Sequence, residues 1–238
     1  MSKKSEAELS MTVAGQTSTE LAVYSDQDLA AWGGNELSSK DIVIPSLLLL
    51  QSNSEFVKVN KGKGGEFFDS VSEESLGSKL VVVPFHMEKT WTVEKYNGKK
   101  WEWDHTEKMT PENENAPYEF EVGADKFRNK YTYRFYVLVD GHVLPFSLKL
   151  KGASKKTGGN ISTEMYVKNA MKQLPPAAFQ FELTSELEKN DEGDSYFVVK
   201  AKVGPRTPYE KVMDALNWFK TLRDDKRTVV VADDNKDF

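Results

Sequence analysis

The segment that most constrains the fold is Lys130 to Val139, which is nearly all aromatic and β-branched. That composition suits a pleated, half-buried surface. Asp140-Gly141 follows it, one of the residue pairs that tight two-residue hairpin turns demand, and Val143 to Lys151 supplies a return strand. The same signal occurs earlier. Lys79 to Tyr96 is rich in Val, Phe, Trp and Thr, Asn97-Gly98 marks a turn, and Lys99-Lys100-Trp101-Glu102-Trp103 alternates charge and indole as a half-exposed strand does. A third pair, Ala178 to Leu187 and Ser195 to Val203, flanks the loop Lys189 to Asp194. Antiparallel hairpins therefore dominate.

Helices are few. One is expected from about Ser162 to Gln173, stopped by Pro175-Pro176. Another begins where Thr207 offers a cap, Pro208 takes the first helical position and Glu210 closes a capping box, with Val212, Leu216 and Phe219 as an apolar face. The loop Gly152 to Asn160 reads as basic and flexible, and His105 to Pro117 as a polar connection. The expected class is mainly β, a β-rich α+β fold. Its expected form is an OB-fold-like antiparallel barrel with an inserted helix and a C-terminal helix; a β-sandwich is the alternative. Three segments are expected: a flexible N-terminal arm over 1–38 with a short helix starting at Ser25, a binding domain over 39–223, and an acidic tail over 224–238.

Cysteine is absent, which removes thiol nucleophiles, disulfides and thiolate zinc sites. The longest apolar run, Ile42 to Leu50, contains Pro45 and is too short to span a membrane. No apolar signal segment follows Lys3 and Lys4, so a cytoplasmic location is expected (host cytoplasm if viral), without membrane association. The net charge of −5 is unevenly spread. Lys126 to Lys172 holds ten basic residues against two acidic ones, a local +8 that leaves −13 on the rest.

The basic block overlaps the aromatic one. Lys126, Arg128, Lys130, Tyr131, Tyr133, Arg134 and Tyr136 lie within eleven residues. In a strand, Tyr131, Tyr133 and Phe135 share one face, and Lys130, Thr132, Arg134 and Tyr136 the other. Exposed rings stack on bases without reading their order, and adjacent cations neutralise phosphates. The same rings serve equally well as a core face, and both roles fit one strand. Trp91, Trp101 and Trp103 add indoles, and Lys149, Lys151, Lys155 and Lys156 add charge, so these fourteen side chains are the candidate nucleic-acid contacts. His86, His105 and His142 show no recurring metal-ligand spacing, and no serine-nucleophile, phosphate-loop or dinucleotide motif is present. A non-enzymatic protein without metal or cofactor is the expectation.

The chain closes on Asp233, Asp234, Asp237 and Phe238, one ring among several carboxylates, a form that suits a basic, apolar pocket on a partner. This segment resembles the acidic, Phe-terminated tail of bacterial and phage single-stranded-DNA-binding proteins. The run from Ile44-Pro45-Ser46-Leu47 to Leu80-Val81-Val82-Val83-Pro84 is also similar to one in phage proteins of this kind. The ending Lys236-Asp237-Phe238 is closer to phage than to bacterial tails, and no long Gly/Gln/Pro linker precedes it. The resemblance implies sequence-tolerant binding and protection of single-stranded DNA in phage replication or recombination, with replication or recombination proteins recruited through the tail and homo-oligomerisation left open. Two alternatives remain: a phage structural or host-polymerase-interacting protein without DNA affinity, and a metal-dependent nuclease.

Overall fold

The computed structural model describes residues 43–224 and 230–231. The chain divides into units 1–42 and 43–238, and all described residues belong to the second. The expected N-terminal arm, the helix at Ser25, and Asp233, Asp234, Asp237 and Phe238 lie outside the described residues.

The elements run β1 (Val43–Ile44), β2 (Leu47–Leu49), a single helical turn α1 (Glu55–Lys58), β3 (Phe67–Asp69), β4 (Glu74–Gly77), β5 (Lys79–Tyr96), β6 (Trp101–Lys108), β7 (Glu119–Val122), β8 (Asp125–Val139) and β9 (Phe146–Leu150). The helix α2 follows, α-helical over Lys155–Ser162, π-helical over Thr163–Lys168 and α-helical again over Asn169–Met171. Then come β10 (Phe179–Lys189), β11 (Ser195–Arg206), α3 (Tyr209–Asp224) and β12 (Val230–Val231).

The class is the expected one: mostly β, antiparallel, with few helices. The long strands β5 and β8 pair along almost their whole length, from Val82 opposite Val139 to Lys95 opposite Phe127. They carry different neighbours at each end. At the root, β10 and β11 extend the sheet beside β5, and β9 pairs with β8. At the tip, β6 pairs with β5 and β7 with β8, giving a four-stranded arm. The seven strands follow an open path, and among the described residues no ladder joins β11 to β9 or β7. A second sheet, β2-β3-β4, and a short parallel pair, β1-β12, complete the strands. Val230 and Val231, within the segment expected as a tail, thus lie beside Val43 and Ile44.

The root of the sheet is covered on both faces. Tyr133, Phe135, Val137 and Val139 of β8 pack with Leu47, Phe67, Leu148, Leu150, Phe181, Leu183 and with Ile161 and Met165 of α2. Tyr136 and Leu138 point the other way, into a cluster with Ile44, Phe85 and Ala215, flanked by Trp218, Phe219 and Leu222 of α3. This is the period-two alternation expected of a strand buried on both sides. Each fully buried ring, such as Phe67, Phe135 or Phe146, contributes about 1.5–3 kcal/mol relative to exposure. A bulge between Pro84 and His86 shifts the alternation of β5, because Pro84 has no N–H to give the ladder. Beyond it, His86, Glu88, Thr90, Thr92 and Glu94 share the face of Tyr136.

Three local expectations change. Lys155 to Gly159, expected as a flexible loop, is the first half of α2, because Thr157, Gly158 and Ile161 are buried against β8 and β11 and tertiary packing overrides the weak helix propensity of glycine. The polar connection after Trp103 instead continues as β6 to Lys108. Thr207 does not cap α3: its Oγ1 is buried without a hydrogen bond, while its N–H donates to the Ala178 carbonyl at 2.9 Å.

Candidate nucleic-acid interface

The ladders fix which candidate side chains can act together. Arg128, Lys130 and Arg134 alternate along β8 on the face of Tyr136, and Lys126 continues that row toward the tip. Lys149 of β9 lies opposite Arg134. On β6, Trp103 stands opposite Glu94 and Trp101 opposite Tyr96, so both indoles join the same face. α3 packs on that face at the root, and among the described residues no other element covers it along the arm. Trp101, Trp103, Lys126, Arg128 and Lys130 therefore share the face of the arm, and Arg134 and Lys149 lie on the same face nearer the root.

The geometry of that surface is specific. The Arg128 guanidinium lies 4.6 Å from the centre of the Trp101 ring, a cation–π contact. Trp101 is half-buried, and Tyr96 packs on it at 5.3 Å. Trp103 is 54 % exposed, and its indole N–H donates to Thr106 Oγ1 at 3.2 Å. The cations are not all idle. Glu94 accepts from Arg128 Nε at 2.5 Å and from Lys130 Nζ at 3.0 Å. Burial works to raise the Glu94 carboxyl, but hydrogen bonds from Lys130 and Arg128 outweigh it and hold the group below the usual carboxylate range. Lys126 is exposed, 3.7 Å from Glu121. The Arg134 Nε is buried with no hydrogen bond among the described residues.

Deeper on the same face stands Glu88, opposite Arg134 in the ladder. Its carboxyl is held down to about 2. His86 beside it is the largest cause, burial opposes, and Lys108 at 3.2 Å adds to the lowering. A carboxylate depressed in the folded state stabilises the fold above its ordinary value of 4.5 and loses that contribution as pH falls toward 2. Glu88→Gln is therefore expected to be less stable than the parent at neutral pH by on the order of 2 kcal/mol. The gap should close as pH drops through that window. Urea midpoints measured across acidic pH read it, and a gap unchanged down to about pH 2 would contradict the assignment.

The remaining candidates lie elsewhere. Trp91, Tyr133 and Tyr136, expected as base-stacking rings, are core groups with 7 %, 8 % and 6 % exposure. Trp91 donates its indole N–H to the Asn113 carbonyl at 2.9 Å, and Tyr136 stacks on His86 at 5.6 Å. Burial pushes the Tyr133 hydroxyl up to about 12, with Tyr131 adding to the rise. Tyr131 is half-buried on the face opposite Arg128, with Lys155 Nζ 4.5 Å from its ring centre. Lys151 and Lys156 are exposed at the connection from β9 into α2. Lys155 thus serves the Tyr131 side, and the fourteen candidates do not converge on a single surface.

Sequence reading missed Glu94, Lys108 and the strand β7, whose Phe120 stacks on Phe127 at 5.3 Å. Glu94 stands far from Arg128 in the chain, and only the ladder register places the two side by side. Among the described residues, no group of three His, Asp or Glu is placed to hold a metal ion, and no helix is long and apolar enough to cross a membrane.

A family model for the Pam3 phage gp34-like protein matches residues 14–220. No curated protein and no solved structure matches the chain.

Proposed function

The chain belongs to the Pam3 phage gp34-like protein family, and from that premise we propose that it binds and protects single-stranded DNA in phage replication or recombination, without sequence preference and without catalysis. The observation that carries this reading is the shared face: Trp101 and Trp103 lie on the same face of the β6-β5-β8-β7 arm as Lys126, Arg128 and Lys130, with no other element packed on it among the described residues, and Arg134 and Lys149 continue that face toward the root. Rings that accept any base, set among cations that follow a phosphate backbone, are the elements of sequence-tolerant single-strand binding. The acidic segment Asp233 to Phe238 is assigned the recruitment of replication or recombination proteins, by its charge and its single ring. The protein works in the host cytoplasm in this account.

Glu94 has a defined part in the proposal. It pairs with both Arg128 and Lys130 in the free protein, offsetting one of their two charges, and a phosphate chain displaces it. Glu94→Gln is therefore expected to bind oligothymidine more tightly. The slope of log affinity against log salt should steepen by about 0.7, one added phosphate contact on a single strand. Fluorescence titrations at four salt concentrations measure it. An unchanged slope would place the phosphate contacts away from Arg128 and Lys130.

Glu94 also supplies the observation that favours a second reading. A face whose cations are already paired suits a protein surface, as in a phage structural or host-polymerase-interacting protein. The two separate on one point: that protein shows no oligothymidine affinity at low salt.

A further inference from the structure

β11 is the outer strand of the sheet, paired with β10 alone. An outer strand turns the N–H and C=O of every second residue away from its neighbour, and such groups need partners. In β11 these residues are Phe197, Val199, Ala201 and Val203. Side chains from elsewhere satisfy the first two. Gln51 donates to the Phe197 carbonyl at 3.0 Å, and its Oε1 accepts from the Phe197 N–H at 2.8 Å. The Val199 N–H donates to Ser154 Oγ at 3.0 Å, and Thr157 Oγ1 donates to the Val199 carbonyl at 2.7 Å. Ala201 and Val203 have no such partner among the described residues. Pro205, without an N–H, ends the run.

The uncapped stretch borders a cleft of about 350 Å³ between α2 and the sheet, with Ile161, Thr163 and Lys168 on one wall and Phe181, Ala201 and Val203 on the other. Two of these walls are unusual. Val203 is 39 % exposed although it continues the row of core residues in β11, and Thr163 and Lys168 bound the π-helical stretch of α2, a feature common at functional sites. Glu164 also lines the cleft, so the excess of positive charge lies along the strand edge itself, where Lys202, opposite Glu182 in the ladder, is on the face of β11 away from the cleft. Lys202 and Arg206 form no ion pair among the described residues, and Lys168 pairs only with Glu164, one turn back on its own helix.

The geometry points to a peptide-docking edge: Ala201 and Val203 accept an extended, acidic segment of a partner protein as an added strand, with its apolar side chains entering the cleft against Phe181 and Val203. Strand addition takes its affinity from main-chain hydrogen bonds and its specificity from alternate side chains. Here those two sources sit side by side. A second copy of this chain is the weaker occupant, because antiparallel pairing centred on the open stretch sets two Lys202 side chains opposite each other, and like charges across strands are unfavourable.

The test uses the full chain, amide-resolved NMR and three synthetic peptides: acetylated (Asp-Val)3, acetylated (Lys-Val)3, and (Asp-Val)3 with N-methyl groups on alternate amides. The acidic peptide is expected to shift the Ala201 and Val203 amides and slow their hydrogen exchange at least about tenfold, because they acquire partners. The basic and the N-methylated peptides should leave both amides unchanged. Ala201→Pro removes one outward N–H on an edge strand, where proline is tolerated, and should abolish the response. If that variant does not fold, the N-methylated peptide makes the same comparison on the parent chain. No response at Ala201 and Val203, an equal response to the N-methylated peptide, or dimerisation that protects these amides without any peptide would each overturn the proposal.

Discussion

Trp103→Ala is expected to weaken oligothymidine binding by about 5- to 150-fold while leaving the fold intact. The size follows from base–aromatic stacking, roughly 1–3 kcal/mol for each ring removed. The intact fold follows from exposure: Trp103 is more than half exposed and makes one side-chain hydrogen bond, to Thr106. A substitution of that kind changes stability by only about 0.5 kcal/mol. Trp91 provides the contrast. It lies on the neighbouring strand, is 7 % exposed and packs edge-on against Tyr131. Trp91→Ala opens a cavity and strands the Asn113 carbonyl, so it should cost about 3–5 kcal/mol in stability. Affinity in the population that remains folded should hardly change. Urea denaturation and fluorescence titration of both variants separate the roles. The assignment of the two indoles fails if Trp103→Ala destabilises and Trp91→Ala chiefly loses DNA.

A second large effect is expected at Gly158. The inserted helix presses against β8 so closely that a Cβ at Gly158 would lie 2.5 Å from Tyr133 Cδ2 and 2.9 Å from its Cγ. These atoms sit at the base of a rigid buried ring, which leaves no flexible end to swing away. Gly158→Ala must therefore push α2 off the sheet or turn Tyr133 out of the core. Overpacking of this kind costs about 3 kcal/mol, a fall in Tm of roughly 6–12 °C for a chain of this size. The damage would spread through named contacts. α2 carries Thr157, which with neighbouring Ser154 caps Val199 of the sheet edge, and Lys155, which lies over Tyr131. Amide exchange at Val199 should rise along with the loss of stability. An alanine variant as stable as the parent would show that the helix and β8 are not in such close contact at Gly158 and Tyr133.

The same helix shows where sequence reading stops. The strand pairs were legible because their signals are local: Asn97-Gly98 and Asp140-Gly141 mark turns, and the composition of β5 and β8 leaves little choice. The alternation of Tyr131, Tyr133 and Phe135 against Arg134 and Tyr136 was legible for the same reason, since a strand has a fixed period. What covers each face was not. Tyr133 and Tyr136 read as candidate stacking rings because nothing in β8 announces α2 on one side and α3 on the other. The start of α2 was hidden because Lys155 to Gly159 has the composition of a loop and becomes helical through burial against distant strands. Glu94 was invisible as a partner of Arg128 and Lys130 because register, not sequence distance, brings them together. Of the candidate surface, the residue types were readable from the chain; which of them share a face required the bulges at Pro84/His86 and Val93/Glu94.

One measurement bears most directly on the arm face as a single-strand binder. Intrinsic tryptophan fluorescence of the full chain is followed during titration with oligothymidine, and with a duplex of equal length, at about 50 and about 200 mM salt. The account predicts quenching, as bases stack on Trp103, and tighter binding of the single strand than of the duplex. It also predicts a steep loss of affinity at the higher salt, as phosphate contacts to Lys126, Arg128 and Lys130 give way to counterions. Equal affinity for both nucleic acids, or no quenching at the lower salt, would contradict it.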